Sequence, residues 1–317
     1  KKAAENGSLI HIDHLDELYT LTDLAGSMAR KPLVAIRVNM DTGIYPMWDR
    51  FGFNYENGQA WDAINKIMMS GKLELVGLHT HIGTFIMSAG AYGIAASKLA
   101  DLALGIKQKF NHDVRYIDMG GGFTSKNTLK GSYLPGSDTN PTFDDYAEAI
   151  TTALVNSGFK PDNLPLLILE TGRALIDEAG SLITSVIANK RLSTGRRATI
   201  IDAGVNLLFT SFWYQHPVTP AQGFSQYREE NTLYGPLCMN IDCVRESITL
   251  PLLNKGDKLV IHYTGAYNLT QWMQFITLRP NVVMIDQDSK THIIRESESV
   301  ASVSGLEKTP DYLNTLK

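Results

Sequence analysis

The chain has 317 residues, 44% hydrophobic and 20% charged, the balance of a folded globular protein long enough for one large core and a smaller second domain. A net charge of −4 speaks against nucleic acid or an anionic membrane as the main partner, and no stretch reads as a signal peptide or a spanning helix. Cys238 and Cys243, the only cysteines, are too few for a disulfide framework and have no second pair to complete a zinc site, so no metal is expected and a reducing, cytoplasmic setting is the default.

Lys1 and Lys2 open a helix-like segment. Residues 8–13, SLIHID, are a short β-rich run, and HLDELYTLTDLAG after it carries apolar residues at helical spacing closed by a glycine. Residues 32–39, PLVAIRVN, are apolar almost throughout, as in a strand buried on both faces. A helix is predicted from about Gln59 to Met69, a strand over 73–83, and a long helix from about Ala89 to Phe110. A strand over Val114–Met119 runs into three glycines, a helix spans Phe143–Ser157, and LPLLILE at 164–170 is a fifth strand. Apolar strands alternating with helices predict an α/β domain over residues 1–175, most of a (β/α) barrel, with an open doubly wound sheet as the competing architecture. After about Leu175 the pattern turns to short strands with turns between them (SLITSVIAN, RATIIDAG, SITLPLL, DKLVIHYTG), an all-β domain over 176–317.

The strand ends carry the chemistry. They read Arg37–Asn39, His79–Thr84, Asp118–Gly122 and Glu170–Arg173, and active sites in α/β barrels collect at the C-terminal strand ends. Burying so many polar groups is costly unless they hold a ligand or one another. Three glycines after a strand imply close approach to the main chain, for which a phosphate is the usual guest and a flexible turn the plainer reading. Gly120, Gly121, Gly122, Thr84 and Arg173 supply the parts of a phosphate cradle. His81 is flat enough to stack on a ring, and Glu170 is placed to hold a proton on a ring nitrogen. Phosphate, flat ring and protonated nitrogen together describe pyridoxal 5′-phosphate, whose ring-nitrogen carboxylate makes it an electron sink. His79, in strand register with His81, is expected to face inward as a core or supporting histidine. His11 and Asp13 lie at another strand end.

HTHIGT, IDMGGGF, LETGR, GPLC and TGAY, in this order over nearly the whole chain, resemble the group-IV decarboxylases of alanine-racemase fold (fold type III), the diaminopimelate, ornithine/arginine and carboxynorspermidine decarboxylases. The resemblance implies a lyase of amino-acid metabolism: a TIM-type barrel that binds pyridoxal phosphate, a β-domain, and an active site at a homodimer interface. It implies His81 on the cofactor ring and Glu170 on the pyridine nitrogen, with Arg37 supporting Glu170 from behind. Thr84, Gly120–Gly122 and Arg173 would hold the phosphate, with Tyr267 reaching it. Cys238, of the neighbouring subunit, would protonate the substrate carbon after CO2 leaves. Arg50 would pair with Asp242 across the dimer. Tyr234, with Tyr214 and His216, either lines the substrate pocket or packs, and Cys243 is expected to be structural.

Two departures from the family follow. The Schiff-base lysine belongs to a Lys–Ala–Asn pattern on the first barrel strand, and no such pattern is present in this sequence. The five strands then correspond to the last five of eight, and the chain is expected to be the C-terminal part of a longer protein whose lysine lies upstream, or on a separate polypeptide. Otherwise it is a lysine-less regulatory homologue. Second, Met239 follows Cys238 where relatives acting on basic or zwitterionic side chains carry Asp or Glu, and no arginine stands near Thr210. A methionine cannot offset the desolvation of an ammonium, so a conjugated amino acid of siderophore or other secondary metabolism is the expected substrate. A racemase of the same fold is the enzymatic alternative.

Overall fold

The computed structural model describes residues 1–223 and 226–314. The chain divides into two compact units, Lys1–Ala179 and Gly180–Lys317.

The first unit begins with α1 (Lys2–Glu5), β1 (Ile10–Ile12), α2 (Leu15–Ala25), β2 (Leu33–Asn39), β3 (Phe53–Asn54), α3 (Gln59–Ser70) and β4 (Glu74–His79). It continues with α4 (Ala89–Phe110), β5 (Tyr116–Asp118), α5 (Gly136–Thr139), α6 (Phe143–Asn156), β6 (Leu166–Ile168) and α7 (Arg173–Ile176). Strands β1, β2, β4, β5 and β6 are parallel neighbours in that order, with β3 added beside β2. This is the expected α/β layer, five consecutive units of a (β/α) barrel. The strands end earlier than the apolar runs do; β5 stops at Asp118 because the glycines behind it take left-handed turns.

Helix ends follow local chemistry. Asn111 closes α4 in the left-handed conformation, and Thr142 and Asp145 form a reciprocal capping box on α6. Helix α4 buries an alanine-rich face, Ala91, Ala95, Ala96, Ala100 and Ala103, around Leu99 and Ile106. Small residues let α6 come close: a Cβ on Gly93 would stand 3.2 Å from Ala149 O. Tyr92 of α4, Tyr146 of α6 and Phe123, which follows the glycines, form a stacked and edge-on aromatic cluster under the glycine turn.

The second unit contains β7 (Ser181–Arg191), β8 (Arg197–Ile201), β9 (Val218–Pro220), β10 (Arg228–Tyr234), β11 (Cys243–Pro251), β12 (Lys258–His262), β13 (Val282–Ile285), β14 (Thr291–Arg295), α8 (Val300–Ser304) and α9 (Asp311–Asn314). Six strands form one sheet in the order β11-β10-β8-β7-β12-β9, antiparallel except for β8 and β10, and β13 and β14 form a separate hairpin. Its core is Val186, Ile201, Leu233, Val244, Leu250, Leu259 and their neighbours.

Candidate active site

Parallel register puts the chemistry in rows. Arg37 stands opposite His79, and His79 opposite Asp118. Two residues earlier, His11 aligns with Ala35, Ala35 with Gly77, and Gly77 with Tyr116. The small residues in the middle of that row have a purpose. A Cβ on Gly77 would run into the Tyr116 ring, which lies across the sheet so that its hydroxyl meets His11 Nε2 at 3.0 Å. The His11 ring in turn lies 4.6 Å from that of His79. His79 Nε2 is 3.7 Å from Glu170 Oε1, too far for a hydrogen bond, and its buried Nδ1 has no hydrogen-bond partner among the described residues.

These environments fix charge. Burial, aided by His11, Arg37 and His81, pushes His79 down to about 3, so it is neutral. His11 and His81 are lowered too, each chiefly by burial. Asp118 is pushed up to about 6, first by burial and then by Glu170, with which it shares a hydrogen bond. Arg37 lies 3.9 Å from Asp13 and over the Phe51 ring at 4.5 Å, and it feels the carboxylates of both Asp13 and Glu170.

The glycine turn corrects part of the sequence reading. What approaches its main chain is the protein itself: a Cβ on Gly120 would meet Thr80 O, one on Gly121 would stand 2.6 Å from Glu170 O, and one on Gly122 would meet Gly83 O. Gly120 and Gly122 also have φ of +65° and +97°, which L side chains rarely adopt. The Gly120 N–H donates to Asp118 Oδ1 (2.9 Å) and the Gly121 N–H to His81 Nδ1 (3.1 Å), so neither is an open anion donor. The carbonyls are held as well, Gly120 O by Glu170 N, Gly121 O by the Tyr92 hydroxyl and Gly122 O by Ile86 N. The turn therefore works as a joint between three strand ends, and it orients His81 by taking its Nδ1 lone pair, leaving the ring proton on Nε2.

Thr84 is exposed in the loop after β4. Arg173, with a side chain 10% exposed, starts α7 and lies 3.8 Å from Asp177, whose carboxylate also accepts from Ser125 Oγ (2.5 Å) and Asn127 Nδ2 (2.7 Å). Trp48, which sequence reasoning passed over, brings its ring to 5.3 Å from His81. Arg50 is exposed and stacks on Phe51 at 4.5 Å.

In the second unit Cys238 is exposed and Met239 half-buried. The expected pairing of Asp242 with Arg50 of a partner is not what its surroundings support. Asp242 is 2% exposed, and its carboxylate accepts 2.7 Å bonds from the main-chain N–H groups of Val205 and Leu237. It fixes the turn that presents Cys238. Tyr214 and His216 are buried, and Thr210 lies in a closed network with His216 Nε2 (2.8 Å) and Asn268 Oδ1 (3.0 Å), so these three pack. Tyr234 pairs across the sheet with Cys243. Tyr267 is 44% exposed and held at φ +66°.

A parallel α/β layer that gathers imidazoles, carboxylates and an arginine at the C-terminal ends of its strands defines a barrel-type cofactor site. The pyridoxal-binding domain of the pyridoxal-dependent decarboxylases matches residues 1–177, more than half of the chain, and the chain belongs to that family. It is 29% identical to the diaminopimelate decarboxylase of Archaeoglobus fulgidus over 97% of this chain and 73% of the relative. Among solved structures, the diaminopimelate decarboxylase of M. jannaschii superposes with a TM-score of 0.84 at 24% identity, covering 98% of this chain and 71% of that one. The Helicobacter pylori enzyme complexed with L-lysine gives 0.79 at 26% identity, covering 93% and 72%. The chain thus spans about seven-tenths of the length of these relatives.

Proposed function

We propose that this chain carries the cofactor and substrate chemistry of a pyridoxal-phosphate-dependent carboxy-lyase that removes the α-carboxyl group of an amino acid. The observation that carries the reading is the meeting of Glu170 and His81 at the ends of β6 and β4 around one glycine joint, with Arg173 opening α7 just beyond Glu170. These groups fit the cofactor: a half-exposed carboxylate, a neutral imidazole of fixed orientation, and a guanidinium already held by a buried carboxylate. When bound, pyridoxal phosphate supplies the electron sink for the pair left behind as CO2 departs.

The chain's own part is to hold and to move protons. Glu170 keeps the ring nitrogen protonated, and Arg37 and Asp118 set the charge around it. His81 presents its ring face, kept neutral by burial, so it adds no charge above the cofactor. Arg173 would bind the phosphate, with Thr84 and the remaining turn N–H groups beside it. Cys238 gives its thiol proton to the α-carbon, so that an amino acid and one proton become an amine and CO2. We assign it to the partner protomer of a homodimer, and two cysteines not joined in a disulfide support a reducing cytoplasmic setting. Met239 offers no charge to a distal ammonium, which favours a substrate whose far end is acylated or otherwise conjugated.

The test is CO2 release by the gene product, supplied with pyridoxal phosphate, from carboxyl-labelled meso-diaminopimelate, L-lysine, L-ornithine and their side-chain-acylated forms. Turnover is expected to be highest on an acylated form. Efficient, selective use of a free amino acid sinks the conjugate reading, and no CO2 from any of them sinks the decarboxylase reading. One rival, a regulatory homologue, would show no cofactor absorbance band in the intact gene product.

A further inference from the structure

His11, His79, Asp118 and Glu170 come from four different strands or strand ends, and one ligand atom of each lies within 4.8 Å of all the others. We propose that these four side chains bind a divalent transition-metal ion of the zinc class in the cofactor-free protein. Two imidazoles and two carboxylates are a nitrogen–oxygen set suited to tetrahedral zinc. Donors about 2.1 Å from such an ion stand roughly 3.4 Å apart, so the widest gap closes by about 1.4 Å, within reach of side-chain rotation.

A second observation points to the same ligand. The His79 side chain is 7% exposed, its Nδ1 has no partner among the described residues, and its Nε2 stands 3.7 Å from the nearest carboxylate oxygen. A buried imidazole nitrogen left without a hydrogen bond is costly, and a metal bond made through that Nδ1 would satisfy it. Tyr116 already orients His11 through the 3.0 Å contact, and the Gly120 N–H orients Asp118, so two ligands have outer supports in place. Glu170, with its side chain 51% exposed, gives the ion a way in. The site shares Glu170 with the ring-nitrogen contact of the proposed decarboxylase. On that reading, metal and pyridoxal phosphate exclude one another.

The experiment titrates the cofactor-stripped chain with Co2+ and follows the visible d–d absorption of a four-coordinate nitrogen–oxygen site. One equivalent should bind without a thiolate charge-transfer band, and Zn2+ should displace it. His11→Asn and His79→Asn should each weaken binding more than about tenfold, as should Glu170→Gln, whose exposed side chain keeps the fold intact, whereas His292→Asn at a surface ion pair should not. Absence of the band in the unaltered chain, or binding unchanged in Glu170→Gln and the histidine variants, overturns the site. Zn2+ at ten times its Kd should raise the pyridoxal phosphate concentration for half-saturation about tenfold, and an unchanged value overturns the sharing of Glu170. A chain that shows the Co2+ band yet releases no CO2 fails the decarboxylase reading alone.

Discussion

Asp242→Asn tests the assignment of a buried carboxylate to its own loop. Both oxygens accept 2.7 Å bonds, one from Val205 N–H and one from Leu237 N–H. The substitution turns one of them into an NH2 group, and whichever way the amide is rotated, one buried N–H faces another donor. One hydrogen bond to a charged acceptor is lost and one buried donor is left unpaired, together about 3 kcal/mol. The side chain has little room to step aside, because Gly204 and Gly235 pack their bare Cα atoms against the carboxylate and a Cβ on either would collide with it. For a unit of this size each kcal/mol is worth about 3 °C, so the melting transition should fall by roughly 10 °C. Thermal unfolding by circular dichroism reads the shift, and sedimentation across a range of protein concentrations reads self-association. A melting point that does not move, with association weakened, would refute the reasoning and return Asp242 to a subunit interface.

Gly77→Ala drives a methyl group into the Tyr116 ring and should destabilise the first unit by about 1–3 kcal/mol in chemical denaturation, a loss partly recovered by adding Tyr116→Leu. Asp118, pushed up to about 6 from 3.8, holds a proton in the folded state that the unfolded chain has released. Its stabilisation is therefore lost as pH rises through that window, so Asp118→Asn should gain on the unaltered chain from pH 4 to pH 7 in melting temperature. His79 runs the other way. Folded it titrates at about 3 and unfolded at 6.5, so stability falls as acid is added between those values, and His79→Gln should lessen that fall.

Much of the fold was legible because it depends on periodicity. The α4 boundaries, Ala89–Phe110, agree with the sequence reading, since an apolar helical face and a closing Asn111 are local signals. The two-residue β3, the strand β10 and the β13–β14 hairpin were not read, because Arg228–Glu229–Glu230 and the exposed hairpin lack a clear apolar alternation. In the site, the strand-end motifs stood out, but the roles of the glycines did not. A sequence shows that something must come close to Gly120–Gly122 and cannot show whether it is a phosphate or the carbonyls of Thr80, Gly83 and Glu170.

The sequence by itself determined the parallel α/β unit, the change to strands after Leu175 and the family motifs, all of which reside in short-range pattern. Only the tertiary structure decided which polar groups answer one another. Parallel register set His79 between Arg37 and Asp118, the absence of a side chain at Gly77 let Tyr116 cross to His11, and folding of the β-unit put Asp242 inside its own turn. The physical reason is that hydrogen bonds and burial act over a few ångströms in space, between residues tens of positions apart along the chain.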